Sequence, residues 1–72
     1  MNIDIRSHVI GNFINLPKDE IKESIIDSLK ENDEIVLPGL GVFFELLWKH
    51  SSNSIKDEII TILEDAIKKE SK

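Results

Sequence analysis

The residues of this chain with usable chemistry are few: the histidines His8 and His50, the acids Asp4 and Glu45, and the glycines Gly39 and Gly41 ahead of Phe43, Phe44 and Trp48. Asp4 and His8 stand one helical turn apart, so they could share a metal on one face. Zinc needs a third ligand, and none is spaced to supply it, so His8 reads as a partly exposed helix residue. His50 and Glu45 are five apart and poorly aligned. Glu45 and Lys49 are four apart in the favourable order for a helical ion pair of about 0.2–0.5 kcal/mol, a structural role. No serine or threonine has a recognisable base and orienting acid, which leaves nucleophilic catalysis unsupported and the chain a non-enzyme.

Pro38-Gly39-Leu40-Gly41 invites a phosphate-loop reading, because glycines ahead of a helix can turn backbone N–H groups toward an anion. The lysine and hydroxyl pair of a nucleotide loop is missing, as is the third glycine of a dinucleotide fingerprint. A tight entry turn is the simpler reading, and no cofactor is implied. Phe43, Phe44 and Trp48 could stack on bases, yet at helical spacing in an apolar run they read as core. On that reading Phe44→Ala costs roughly 3–5 kcal/mol.

The elements that must position these residues follow from the apolar spacing. Ile5, Val9, Ile10 and Phe13 mark one face of a short helix that starts after Asn2 or Asp4 and fades between Gly11 and Asn15. Leu16-Pro17-Lys18-Asp19-Glu20-Ile21 opens a second, with proline at the entry, acids in the first turn and Leu16 placed to staple onto Ile21. Its stripe is Ile21, Ile25, Ile26 and Leu29, and Asn32-Asp33 supplies the stop. Pro38 and the two glycines are expected to forbid a helix through Glu34–Gly41, making Pro38, Gly39 and Gly41 a buried connector. Leu37 should be extended before the proline, and either glycine could take a positive φ.

From Leu40 the chain is apolar nearly all round, through Val42, Phe43, Phe44, Leu46, Leu47 and Trp48. A helix of that kind is buried on several sides, so Leu40, Phe43, Phe44, Leu47 and Trp48 are the core or interface candidates. A strand would need alternation that this run lacks. Ser54-Ile55-Lys56-Asp57 looks like a capping box, after which Ile55, Ile59, Ile62, Leu63, Ala66 and Ile67 repeat at helical spacing, with a polar tail frayed from about Glu70.

The fold class is therefore all-α, a single domain over 1–72 built as a small bundle of three to four helices. Phe43, Phe44, Leu47 and Trp48 are expected to pack on Val9 and Phe13, and on Ile25, Leu29, Ile59 and Leu63. A core this small supplies only about 3–5 kcal/mol, and without cysteine no disulfide staples it. Self-association is the remaining staple, since the central segment has more apolar surface than 72 residues readily cover.

Charge narrows the partners. Fourteen acids against nine lysines and arginines leave a net charge of −5. Much of the excess lies where Asp19, Glu20, Glu23, Asp27, Glu31, Asp33 and Glu34 face Lys18, Lys22 and Lys30, a stretch that repels phosphate. DNA binding would require Arg6, Lys49 and the terminal lysines to converge. The N-terminus lacks a signal-peptide pattern and no run approaches the roughly 20 apolar residues of a membrane span, so the chain is expected to stay where it is made.

Leu37-Pro38-Gly39-Leu40-Gly41-Val42-Phe43-Phe44-Glu45, with Trp48, Lys49 and His50, resembles the small acid-soluble spore protein I family of endospore-forming bacteria. The resemblance extends to Ile5-Arg6-Ser7-His8-Val9-Ile10 and the flanking acidic helices. It implies a minor protein of the developing spore, resident in the cytoplasmic compartment of the forespore and then the spore core, with spore proteins as partners. The motifs of the major DNA-coating spore proteins and their germination-protease cleavage pattern are missing, so DNA protection is not carried over. Asp27 to Glu45 also resembles the helix-to-strand passage of the histone-like HU and integration host factor proteins, which implies a DNA-binding alternative. Those proteins continue into alternating strands and a basic arm, whereas Leu46-Leu47-Trp48 stays apolar and another acidic helix follows.

Overall fold

A computed structural model describes residues 4–31 and 33–71. Among these residues four α-helices run in the order α1 (Ile5–Phe13), α2 (Lys18–Glu31), α3 (Leu37–His50) and α4 (Asn53–Glu70), with a 3₁₀ turn at Glu34–Val36 leading into α3. No strand occurs among the described residues, so the aromatic segment is helical and the HU-type passage into a sheet is not formed.

Local chemistry sets each start. Asp4 is extended and caps α1, its carboxylate accepting from the Ser7 N–H at 3.1 Å and the Ser7 hydroxyl at 2.7 Å. The expected alternative start at Asn2, and Asn32 of the expected α2 stop, lie outside the described residues. Pro17 opens α2 through its carbonyl, which accepts from the N–H groups of Glu20 and Ile21, and Asp19 and Glu20 occupy the first turn. Asp33 caps the 3₁₀ turn by accepting from the Ile35 N–H at 3.1 Å.

The Pro-Gly segment departs from the sequence expectation. Pro38, Gly39 and Gly41 form the first turns of α3 rather than a connector, and Pro38 and Gly41 are exposed. Proline is harmless there, because the first-turn N–H groups have no intrahelical acceptor and its ring already holds a helical φ. Leu37 follows suit at φ −60° and ψ −41° instead of extending. Neither glycine has a positive φ. The start of α4 is also shifted: Ser52, not Ser54, is the cap, its hydroxyl accepting from the Ile55 N–H at 3.2 Å.

The principal packing is α1 against α3, with the 3₁₀ turn beside them. Val9 and Val42 are the only buried hydrophobics among the described residues. Phe13 meets Phe43 edge to face at 5.0 Å between ring centroids, which anchors the seam. On α2, Ile21, Ile25 and Ile26 are half-buried, whereas Leu29 is exposed and leaves the expected core. The radius of gyration is 13.9 Å, against about 11 Å for a compact chain of this length. Loose attachment of α4 accounts for the excess: Lys56 and Ile59 are half-buried, and everything from Ile60 onward is exposed.

Candidate interaction surface

One groove dominates the described surface. It opens between α1, α2 and α3 with a volume of about 610 Å³, lined by Ile10, Phe13, Ile14, Ile21, Ile25, Leu40, Phe43, Phe44, Leu46 and Leu47. Every lining residue is apolar. Helical periodicity puts them there: α3 is apolar on nearly all sides, and α1 and α2 together cover only part of it. Val42 and Phe43 turn toward α1, while Phe44 and Leu47 form the open wall at 42% and 51% exposure.

Of the five core or interface candidates, Leu40, Phe43, Phe44 and Leu47 converge on this groove, and Trp48 stands just beyond its end. Trp48 stacks on Phe44 with centroids 6.1 Å apart and planes at 25°. The Lys56 ammonium lies 5.5 Å from the centre of the Trp48 ring, a cation–π contact that ties the first turns of α4 to the end of α3. Leu63 is exposed rather than packed on the aromatic cluster, because α4 has left the body by that point. The sequence expectation for Phe44 is corrected with it: a ring this exposed does not carry a 3–5 kcal/mol core term within one chain.

The polar residues are dispersed. His8 and His50 are both exposed and neither lines the groove. Asp4 spends its carboxylate on Ser7, and His8 reaches it only by donating its backbone N–H to the Asp4 carbonyl at 3.1 Å. Among the described residues no three His, Asp or Glu side chains gather to hold a metal ion. Glu45 does not pair with Lys49 as the spacing suggested. It accepts two bonds from the Arg6 guanidinium, from Nε at 2.6 Å and Nη2 at 2.8 Å, because a fork across the α1–α3 seam offers better geometry than a flexible ammonium. Arg6 is thereby withdrawn from the cationic patch that DNA binding would need. Lys68 and Lys69 stand beside Glu64 and Asp65 at 3.9 and 3.0 Å. Sequence reasoning missed the Arg6–Glu45 fork, since a 39-residue separation leaves no local signal.

These carboxylates make the fold sensitive to acid. Hydrogen bonds from the Ser7 backbone and hydroxyl hold Asp4 below its ordinary range, and the Arg6 hydrogen bond does the same for Glu45. Both groups bind protons more tightly when unfolded, so their contribution is complete above the unfolded carboxylate range and is lost as pH falls through the lower folded values. Urea midpoints followed by circular dichroism should therefore drop between about pH 5 and pH 3. Glu45→Gln should flatten part of that drop, and an unchanged pH profile in this variant would remove the fork from the account.

Among the described residues no helix is long and apolar enough to cross a membrane. No solved structure matches the chain. The family model for "Small, acid-soluble spore protein I" matches residues 3–67. A protein of that name from Geobacillus sp. (strain WCH70) is 44% identical over 68 residues, covering 94% of this chain and 96% of the relative. The protein of the same name from Bacillus subtilis (strain 168) is 37% identical over the same shares. That from Bacillus cereus (strain AH187) is 36% identical over 69 residues, 96% of this chain and all of the relative. With the family model matching from the first helix through most of the last, and the relatives matched along nearly their whole length, the chain belongs to the small, acid-soluble spore protein I family.

Proposed function

We propose that this spore protein is a non-enzymatic constituent of the spore core, made in the cytoplasmic compartment of the forespore, which acts through contact rather than chemistry. The single observation that carries the reading is the groove: about 610 Å³ lined by apolar side chains alone. A site for acid–base, nucleophilic or metal chemistry needs convergent polar groups in its concavity, whereas an apolar cleft is suited to receiving another apolar surface. The net charge of −5 argues against nucleic acid as that surface. Arg6, the cation best placed on the α1–α3 seam, is already paired with Glu45.

The test is fractionation of spores from cells expressing the full chain with an epitope tag, paired with chromatography of the purified protein on duplex DNA. Recovery in the core fraction and flow-through at moderate salt are expected. Retention on DNA that weakens steadily with added salt, or recovery in the outer layers, would overturn the reading.

A further inference from the structure

Two apolar surfaces stand uncovered among the described residues. The groove walled by Phe13, Phe43, Phe44 and Leu47 is one. The other is on α4, where Ile60, Leu63 and Ile67 form an exposed stripe. Their spacing of i, i+3 and i+7 is that of the anchors an amphipathic helix sets into an apolar groove. We propose that α4 of one chain lies in the groove of a second copy, and that the second copy returns the contact, closing a two-fold dimer. This rests on the contact-based reading above and names its partner.

The accessible surface of the chain leaves enough area for a partner of this size. It is 6428 Å², against about 4,500 Å² for a compact monomer of 8.2 kDa. The excess of about 1,900 Å² per chain exceeds the roughly 800 Å² that each partner contributes to a standard interface. Two buried valines are a meagre core, and filling the groove would enclose Phe43, Phe44 and Leu47 from their open side. The chain's own helix is poorly placed to do this. Ser51 and Ser52 are both extended, α4 follows after only those two residues, and beyond Ile59 it stays exposed along its length. Because each chain owns both the arm and the groove, a two-fold axis satisfies both at once and leaves no free face for further growth.

Charge supplies a signature. Two chains of net charge −5 repel at low ionic strength, so the dimer tightens as salt rises, opposite to binding of nucleic acid.

The experiment is sedimentation velocity on the full chain from about 1 to 200 μM, a range that brackets micromolar affinities. It is run for the wild type, Phe44→Glu in the groove, Leu63→Glu on the arm, and an equimolar mixture of the two variants. The wild type is expected at twice 8.2 kDa. Each variant should dissociate with its constant raised about thirty-fold or more. The mixture should recover a dimer, because an intact arm from the Phe44→Glu chain still meets an intact groove on the Leu63→Glu chain. Circular dichroism checks that each variant is helical, and Leu47→Glu with Ile67→Glu makes the same comparison if either is not. A wild-type monomer at every concentration overturns the proposal, as does a mixture that stays monomeric, which would mean that like faces pair with like. A monomer still recovered from the spore core would leave the contact-based reading standing and remove only this dimer.

Discussion

Phe43→Ala is expected to cost about 3 kcal/mol and to leave a large part of the population unfolded at 25 °C, read as loss of helical ellipticity in dilute solution. The ring touches Phe13 edge to face across the α1–α3 seam, and such a pair adds about 0.5–1.5 kcal/mol beyond the area it covers. Val9 and Val42 are too short to fill the gap, and the far side opens onto the groove. Phe44→Ala provides the contrast. With its ring 42% exposed, the expected loss in the dilute monomer is only about 1 kcal/mol. Equal losses at the two positions would mean that α3 is rotated relative to α1, and the seam described above would be wrong.

The second large effect runs the other way. Replacing Gly39 and Gly41 together with alanine should raise stability by about 1.5 kcal/mol and the melting temperature by roughly 10 °C. Both positions lie inside α3, neither has a positive φ, and a Cβ built at either meets nothing within 4 Å. Alanine therefore keeps the helix and removes conformational freedom from the unfolded chain. A lower melting temperature would show that this edge of α3 is closely covered by another backbone in the assembled protein.

Most of the helical framework was legible in the sequence because its signals are local. The 3.6-residue spacing of Ile5, Val9 and Phe13, the proline and acids at the start of α2, and the long repeat from Ile55 each depend on neighbours within a turn or two. Pro38 was misleading for the same reason: a proline's meaning depends on whether it falls in the first turn or later, and the 3₁₀ turn that decides this is held by Asp33. The groove was only half legible. The apolar run named Leu40, Phe43, Phe44 and Leu47, but which of them meets α1 and which stays open depends on the azimuth of α3, which goes with distant contacts such as Phe13–Phe43. The apolar face of α4 was visible as periodicity, whereas its departure from the body depends on two extended serines that carry no strong sequence signal.

The fork between Arg6 and Glu45 also bears on how the chain emerges during synthesis. Its two ends are 39 residues apart, and the helix carrying Arg6 has nine residues, too few to persist alone in water. That helix leaves the ribosome without its partner and waits until α3 has followed it. α2 is synthesised before α3, so the nascent chain carries its second helix before its first one is secured.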